Sequence, residues 1–288
     1  MTELELLTRI AARLDEIADK LDGKATTPKS SQTFDEFARY YFDTFRKRKV
    51  TPYTFRKDIE RYNAHICPTI GETPFAELRP DRVQKVLDRL ENRPKTAREV
   101  FTLINIVCKT AIKHGIISQN PCDMAILPYY ERRHGRALTA DETRQLLTAT
   151  DGTDIQRIYA LALYTGLRPN EYATARIQGQ FVIARNSKQK DGREHTKRIP
   201  ITVKLAPYVK DGLPQPRRIQ YLRNQLKQIL PTHKLYDLRT TFYTRCQECG
   251  VSELARNLFM GHTLGGLADT YTDVSDEYLI AEAQKLNY

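Results

Sequence analysis

Four short polar motifs stand at fixed distances in the C-terminal half of this 288-residue chain, and they constrain its fold more than any other feature. Their sequences are TGLRPNE over residues 165–171, YDLR over 236–239, MGH over 260–262 and DTYTD over 269–273. Residues 239 and 262 are 23 positions apart, and residues 262 and 271 are 9 apart. One arginine or tyrosine alone carries no information. Four motifs in a fixed order lead us to expect a fold that gathers them at one site.

In this order and at these spacings the motifs resemble those of the tyrosine recombinases. These DNA breaking-and-joining enzymes include phage integrases and Xer-type resolvases. The resemblance extends from about residue 32 to the end of the chain. It implies a mainly α, two-domain architecture, with a helical core-binding domain followed by a mostly helical catalytic domain that contains a small β-hairpin or sheet. The chain departs from the family where the usual His-x-x-Arg reads Tyr236-Asp-Leu-Arg239, and the strand region before Phe181 looks shortened.

Capping and breaking signals divide the chain into four segments. We expect an N-terminal helix and linker over residues 1–31 and a helical core DNA-binding domain over 32–121. An interdomain linker over 122–138 and a catalytic domain over 139–288 follow. Thr33 and Thr51-Pro52 are typical of helix starts, Asn120-Pro121 stops the first domain, and the sequence TADE from Thr139 is a capping box that begins the second.

Hydrophobic periodicity predicts the individual elements. In the first domain we expect helices beginning near residues 34 and 52, then at about 80–91 and 95–114. In the second domain we expect helices at about 140–149, 154–165, 216–230, 236–249, 252–259 and 276–286, with a short helix over 168–175. Two strands at 181–184 and 198–202 flank a polar hairpin.

The N-terminal segment has an apolar seam at heptad spacing, formed by Leu7, Ile10, Leu14, Ile17 and Leu21. It spans only two to three heptads, so an isolated helix would be marginal. The seam fits either self-association or partner binding, or packing against its own protein, and the pattern does not decide between these alternatives.

The charge of the chain favours a polyanionic partner. The formal net charge is +11. Residues 31–125 carry 17 basic and 12 acidic groups and residues 126–288 carry 24 and 17, so both domains have a basic excess. Two basic domains suit a C-shaped clamp around duplex DNA, because each neutralised phosphate releases counterions. Our candidates for phosphate contacts are basic residues of the first domain: Arg46, Lys47, Arg48, Lys49, Arg56 and Lys57.

Other features of the sequence point to a cytoplasmic protein. No apolar run approaches the roughly 18 residues of a membrane span, and no signal peptide is apparent. The five cysteines are odd in number and scattered, which fits reduced thiols. Cys246 and Cys249 form a C-x-x-C pair without a second pair, so helix packing is favoured over a zinc site.

The resemblance assigns the chemistry to particular residues. Tyr271 matches the family's nucleophile, whose phenol oxygen attacks phosphorus while the sugar 5′-oxygen leaves. Arg168 and Arg239 match the two arginines that stabilise charge on the non-bridging oxygens. Glu171 matches an acidic residue that would hold the Arg168 guanidinium. We expect no metal and no cofactor, because cationic side chains would do this work.

The remaining assignments concern proton transfer. Lys188 is our candidate for the lysine that protonates the leaving oxygen, with Lys190 as the alternative. His262 would donate a hydrogen bond to a phosphate oxygen. We expect Tyr236 to replace the usual histidine as a hydrogen-bond donor, to the phosphate or to Arg239, because a phenol with a pKa near 10 does not readily accept a proton. His233 is a weaker candidate for a base, and we expect its removal to be nearly silent.

The function implied by the resemblance is site-specific recombination of duplex DNA by a homotetramer, as in an integrase of a phage or mobile element. A 3′-phosphotyrosine and a Holliday junction would be its intermediates. A Xer-like resolvase and a catalytically idle DNA-binding relative are the alternatives. We predict that the apolar set on the last helix docks on a neighbouring subunit, and docking in cis on its own fold is the alternative. The DNA target and any bending or directionality proteins cannot be read from the sequence.

Overall fold

The computed structural model describes residues 32–131, 134–187, 195–262 and 274–288. These residues form two compact units, the first ending before residue 133 and the second continuing to the C-terminal end. Each unit has its own hydrophobic core. The expected heptad helix over residues 3–22 lies outside the described residues.

The first unit is a bundle of helices. Helix α1 (Phe34–Tyr41) and helix α2 (Pro52–Arg61) are followed by a 3-10 turn (Phe75–Glu77), helix α3 (Pro80–Asp88) and helix α4 (Pro94–Lys113). Thr33 caps α1 as expected: its hydroxyl accepts from the Glu36 amide at 3.2 Å, and the Glu36 carboxylate accepts from the Thr33 amide at 2.9 Å. Thr51 also caps α2, where its hydroxyl accepts from the Thr54 amide and Pro52 stands at the first position.

Each of the first two helices continues through a π-helical turn. Helix α1 passes through Phe42–Arg46 into Lys47–Lys49, and α2 passes through Tyr62–Ile66 into Cys67–Ile70. Arg46, in the first π-turn, donates from Nε to Oδ2 of the buried Asp58 at 2.8 Å. Arg46 therefore joins the two helices through this ion pair, and its contact with phosphate stays a prediction.

The other basic candidates of this unit differ in whether they form ion pairs with acidic side chains. Lys57 lies 2.5 Å from a Glu60 carboxylate oxygen, and Arg56 lies 3.8 Å from the other. In the part of the chain that the structure describes, Lys47, Arg48 and Lys49 are exposed and take part in no ion pair. These three residues, called the basic run below, are cations that remain available to an anionic partner.

The second unit begins with a pair of helices, α5 (Ala140–Ala149) and α6 (Asp154–Thr165). Helix α5 starts at the expected capping box: the Thr139 hydroxyl accepts from the Glu142 amide at 3.1 Å, and the Glu142 carboxylate accepts from the Thr139 amide at 2.8 Å. Helix α6 is buried along most of its length and packs against a later helix over Asp237–Glu248. The first arginine motif follows α6 directly, as a 3-10 turn over Pro169–Thr174.

Three short strands form one antiparallel sheet in the order β1-β2-β3, with β1 at Arg176–Gln178, β2 at Phe181–Arg185 and β3 at Thr196–Pro200. Val182 pairs with Ile177 on one side and with Ile199 on the other. The sequence predicted β2 and β3 but not β1. All three residues of β1 are exposed, so this edge strand lacks the apolar alternation that reveals a half-buried strand.

The remaining helices close the second unit: α7 (Ala206–Val209), α8 (Ile219–Ile229), α9 (Asp237–Glu248), α10 (Glu253–Met260) and α11 (Asp276–Gln284). These agree with the predicted positions apart from α7, which is a single turn. No helix among the described residues is both long and apolar enough to cross a membrane. The fold class is as expected, mainly α-helical with one small sheet.

The last helix packs on its own unit. Leu279, Ala283 and Leu286 belong to the core of the second unit. The Glu282 carboxylate accepts from the Ser252 amide at 2.7 Å, and the Tyr288 hydroxyl donates to the Leu163 carbonyl at 2.8 Å. The structure has docking in cis, the alternative to the predicted docking on a neighbouring subunit, because the apolar face of α11 completes the core of its own unit.

The exposed basic run generates the first prediction. Replacing Lys47, Arg48 and Lys49 with alanine should weaken binding to duplex DNA. It should also flatten the dependence of log K on log salt by about 0.9 for each phosphate that is no longer neutralised. Alanine replacement of Arg79, Arg82 and Lys85, which are also exposed in the same unit, removes the same charge and serves as the control. Equal slopes for the two triple variants would mean that the basic run only contributes net charge.

Candidate active site

The turn after helix α6 determines where the first arginine lies. Helix α6 ends at Gly166, which has a left-handed φ of 63°. A Cβ at this position would lie 2.4 Å from Cδ1 of Phe242, so the close packing of α6 on α9 also requires glycine. Leu167 is buried, and Arg168 begins the 3-10 turn and is only 5 % exposed. The guanidinium of Arg168 is thus held inside the second unit.

Glu171 anchors this arginine from the same turn. Its Oε1 accepts from Arg168 Nη1 at 2.9 Å, and its Oε2 accepts from the Arg168 amide at 2.8 Å. Ser187, after strand β2, also donates to Oε1 from its amide and its hydroxyl. The predicted contact between Glu171 and Arg168 is present in the structure. Glu171 is fully buried, and every donor around it favours the ionised carboxylate.

A buried lysine that sequence reasoning missed completes the carboxylate's surroundings. Lys197, in strand β3, is 2 % exposed and donates from Nζ to Oε2 of Glu171. Burial alone would raise the pKa of Glu171, but the ion pair with Lys197 and the hydrogen bonds from Arg168 lower this pKa to about 2. Burial lowers the pKa of Lys197 to about 8, against the opposing pull of Glu171 and with repulsion from Arg239 and Arg168. The sequence does hold a signal: Lys197 lies on the same strand face as the buried Ile199.

Asn186 connects this group of residues to the histidine motif. Its Oδ1 accepts from Arg168 Nη1 at 3.1 Å, and its Nδ2 donates to the Gly261 carbonyl at 2.8 Å. Gly261 ends helix α10 with a left-handed φ of 61°. A Cβ there would lie 2.4 Å from Cδ of Lys197. The residue before His262 has to be glycine, because strand β3 packs so closely against it.

The second arginine lies in helix α9 and is held by backbone carbonyls. Arg239 is 2 % exposed. It donates from Nη1 to the Gly166 carbonyl and from Nη2 to the Met260 carbonyl at 2.8 Å. Burial and repulsion from Arg168 lower its pKa. Both carbonyls lie at the C-terminal ends of helices, where backbone carbonyls lack hydrogen-bond donors from within the helix. Arg239 supplies these donors at the ends of both α6 and α10, where the helix dipole also favours a cation.

His262 lies beside Arg239. The amide of His262 donates to the Asn257 carbonyl at 2.9 Å, and its Nε2 lies 3.3 Å from Arg239 Nη2. Because a guanidinium can only donate, Nε2 accepts in this contact. His262 is exposed, unlike the two arginines. The structure therefore brings together the Arg168, Arg239 and His262 that the sequence selected.

The pair of guanidinium groups retains donors for a ligand. The Nε of Arg168 is buried and has no hydrogen-bond partner among the described residues. A guanidinium carries five N–H donors, and the contacts above use three of those on Arg239. Buried donors without partners are rare in native proteins and are costly. Two like charges and an unsatisfied donor form an environment that suits an anion such as a phosphate oxygen.

Tyr236 stands just before helix α9, at its N-cap position, and is 47 % exposed. An interaction of its phenol with Arg239 acts to raise the pKa of that arginine, against the larger effect of burial. The phenol is thus near the guanidinium that we expected it to orient.

His233 is a structural residue in this arrangement. Its ring is buried, with Nδ1 3.2 Å from Oδ2 of Asp237 and Nε2 2.6 Å from Nη2 of Arg136. Glu142 Oε1 lies 3.1 Å from the same Nε2. Its removal should lower stability, because this ring links the segment before α5 to the start of α9, whereas the nearly silent effect expected on cleavage stays a prediction.

Three residues of the predicted site lie outside the described residues: Lys188, Lys190 and Tyr271. The expected roles of these side chains stay predictions. Within the described ranges, no group of histidine, cysteine, aspartate or glutamate residues could hold a metal ion. Cys246 is buried in the core of the second unit.

The buried carboxylate generates the second prediction. The pKa of Glu171 is lowered from 4.5 to about 2. Its ionised form therefore contributes stability above pH 4.5, and this contribution is lost as the pH falls towards 2. We expect Glu171→Gln to lower the free energy of unfolding by roughly 3 kcal/mol at pH 7, with the difference from the parent closing between pH 4.5 and 2. Urea unfolding against pH measures this. The exposed Glu253→Gln is the control, and a difference that does not change with pH would contradict the role of the carboxylate charge.

Comparison with known proteins shows which proteins this chain is similar to. The phage integrase central domain model matches residues 34–125. No curated protein matches the chain in sequence. Among solved structures, the lambda integrase tetramer bound to a Holliday junction has a TM-score of 0.70 at 16 % identity and covers 93 % of this chain and 90 % of that one. A lambda integrase (75-356) dimer bound to a core site has a TM-score of 0.69 at 14 % identity, covering 85 % and 100 %.

The Tn1549 transposon integrase, in complex with circular intermediate DNA, is similar in fold as well. Its TM-score is 0.66 at 15 % identity, and the match covers 88 % of this chain and 100 % of that one. Residues 34–125 match the phage integrase central domain model, and the chain has the fold of the lambda and Tn1549 integrase structures.

Proposed function

We propose that this protein is a site-specific DNA recombinase that cuts and rejoins duplex DNA through a 3′-phosphotyrosine intermediate, in the service of a phage or mobile element. The observation that carries this proposal is the pair of buried arginines, Arg168 and Arg239, with His262 beside them and an unsatisfied Nε on Arg168. The single carboxylate of Glu171 also faces Lys197, so the two arginines keep a positive charge that it does not balance, which is costly in a structural core and suits an anionic ligand.

The reaction is a pair of transesterifications. The phenol oxygen of Tyr271 attacks phosphorus, a bond from phosphorus to the sugar 5′-oxygen breaks, and that oxygen takes up a proton. Reversal by the 5′-hydroxyl of another strand rejoins the DNA. The energy of the phosphodiester is kept in the phosphotyrosine bond, so neither water nor ATP is consumed.

The two arginines meet the electrostatic demand of this step. The transition state accumulates negative charge on the non-bridging oxygens. Donors that are already fixed in a buried site stabilise this charge without reorganising. Arg168 is fixed by Glu171 and Asn186, and Arg239 is fixed by two backbone carbonyls. His262, which is exposed beside Arg239, would donate to the phosphate once a protein–phosphate contact replaces its contact with Nη2.

Proton transfer falls to residues of the sequence motifs. Lys188, which follows β2 in the sequence, is the proposed donor to the leaving 5′-oxygen. Tyr236 orients Arg239 or donates to the phosphate, and it does not act as a base. Proton removal from Tyr271 then falls to water or to the phosphate.

The proposed substrate and assembly follow from the charge and from the fold. The first unit presents the basic run, and the chain carries a net charge of +11. The similar structures named above are integrases on DNA, one of them a tetramer on a Holliday junction. We propose that this chain likewise binds duplex DNA and assembles as a tetramer on two sites. A cytoplasmic location is part of the same proposal.

Covalent capture tests the nucleophile. Incubation with a suicide substrate, nicked next to the cleavage position, should give a protein–DNA adduct on a denaturing gel. The adduct should be absent with Tyr271→Phe, because that substitution removes only the attacking oxygen. Tyr278→Phe is the matched control, since Tyr278 bonds to the Ser252 hydroxyl and is not in a motif. An adduct that survives Tyr271→Phe would contradict the assignment, and its absence from the parent on any attachment DNA would favour an idle DNA-binding protein.

A second set of variants distinguishes the role of Tyr236 in cleavage from the role of His233 in stability. Tyr236→Phe should slow cleavage because the hydrogen bond towards Arg239 is removed, whereas Tyr236→His should be tolerated. His233→Ala should lower the free energy of unfolding by roughly 1–3 kcal/mol while leaving the cleavage rate of the folded protein nearly unchanged. The measurements are single-turnover cleavage rates and urea unfolding. A Tyr236→Phe rate equal to the parent's would reduce Tyr236 to packing, and a folded but inactive His233→Ala would identify His233 as the missing base.

A further inference from the structure

Strand β3 contributes a buried cation that none of the motifs contains. Lys197 is 2 % exposed, and its Nζ contacts Glu171 in the interior of the unit. A lysine is almost never buried unless it is paired, and burial costs several kcal/mol for each ion. This lysine therefore needs an explanation beyond packing, since an apolar side chain would fill the same space.

The contacts of Glu171 show what the lysine does. One carboxylate oxygen, Oε1, accepts from the Arg168 guanidinium, and the other, Oε2, accepts from Lys197. Without Lys197, the donor that remains to Oε2 among the described residues is the amide of Arg168. The carboxylate would lose its cationic partner on Oε2 and be held by Ser187 and Arg168 alone, so it could shift together with the Arg168 guanidinium and redirect the unsatisfied Nε, the donor that the proposed function reserves for the phosphate.

The aliphatic part of the Lys197 side chain makes a second contact that also supports a positioning role. Its Cδ packs against Gly261, so closely that a Cβ on that residue would lie only 2.4 Å away. Gly261 immediately precedes His262, and its carbonyl accepts from Asn186 at 2.8 Å. One side chain thus supports both the turn that presents His262 and the carboxylate that holds Arg168.

We propose that Lys197 is a positioning residue of the recombination site, which holds Glu171 so that the Arg168 guanidinium stays directed at the phosphate. This inference rests on the proposed function. It assigns Lys197 no contact with DNA, and the proposed proton donor remains Lys188. Lys197 supplies a positive charge next to Oε2 of Glu171.

Because this role requires a charged Lys197, the cleavage rate should depend on the ionisation of that side chain. The charged groups that act on its ammonium are Glu171 and Arg168 of the 3-10 turn and Arg239 of helix α9. Helix α11 also packs on β3, but its Asp276 pairs with Arg198 on the opposite face of the strand. Burial and the two arginines bring the pKa of Lys197 to about 8. The positioning charge is therefore present below pH 8 and is lost as the pH rises above it.

The test compares Lys197→Arg, which keeps the charge, with Lys197→Met, which removes it. The first readout is the second-order rate of adduct formation at subsaturating suicide substrate, which reports the ionisations of the free protein. We expect Lys197→Met to be roughly 10- to 100-fold slower at pH 7, a loss typical of residues that orient a functional group. The parent rate should fall above pH 8, and the Lys197→Arg rate should persist to higher pH. A full rate in Lys197→Met, or identical pH profiles for the parent and Lys197→Arg, would overturn the proposal.

The double variant Lys197→Met/Glu171→Gln separates positioning from folding. It removes both buried charges and leaves Arg168 and Arg239 without a carboxylate, so its thermal midpoint should be no higher than that of Lys197→Met. Its cleavage should stay slow, because Arg168 has lost the ionised carboxylate that orients it. Recovery of both stability and cleavage would mean that Lys197 only keeps the core neutral, and would overturn the proposal.

A readout without cleavage keeps this inference separate from the proposed function. Inorganic phosphate should raise the thermal midpoint of the parent and of Lys197→Arg, and it should raise that of Lys197→Met much less. If the parent forms no adduct but these phosphate shifts appear, the recombinase assignment fails while the role of Lys197 in an anion site stands. If Lys197→Met responds to phosphate as the parent does, the role of Lys197 fails whatever the adduct assay shows.

Discussion

The buried carboxylate of Glu171 is the constraint on which the rest of the site depends. It is fully buried, it contacts the guanidinium of Arg168 and the ammonium of Lys197, and it lies within electrostatic reach of Arg239. Without a negative charge at this point, three cations could not share one interior, because each would face like charges in a medium of low dielectric constant. With a single carboxylate the group still keeps a net positive charge, which is the state that an anionic substrate can neutralise.

The C-terminal ends of two helices position the other arginine of the site, Arg239. Helices α6 and α10 both stop at a glycine in the left-handed conformation, and each leaves a carbonyl pointing at Arg239. The glycines are required twice over, by their φ angles and by the close approach of Phe242 to Gly166 and of Lys197 to Gly261. The motifs TGLR and MGH therefore share a structural requirement for glycine. In each, the glycine ends a helix so that the polar residue that follows, Arg168 or His262, enters the same site.

Local signals explain how much of this could be predicted. The capping boxes at Thr33 and Thr139 and the Thr51-Pro52 start involve residues three or four positions apart, so the sequence reveals them directly. Strand β1 has no buried face, and the contacts of Lys197 and His233 come from residues 26 and up to 97 positions away, so no local pattern announces them. The motifs were enough to select Arg168, Arg239 and His262, and to select Glu171 as the partner of Arg168. The other partners, Asn186 and Lys197, were not predictable, because burial of a polar or charged side chain depends on which strands and helices meet in three dimensions.

The central claim is that Arg168 and Arg239 act by stabilising negative charge on the scissile phosphate. It is tested most directly by removing that charge from the DNA. Cleavage by the parent, Arg168→Ala and Arg239→Ala can be compared on a phosphodiester and on a neutral methylphosphonate at the same position, and folding losses cancel within each variant. We expect each arginine variant to lose far more activity on the phosphodiester than on the methylphosphonate. Equal losses on the two substrates would contradict electrostatic stabilisation by these arginines.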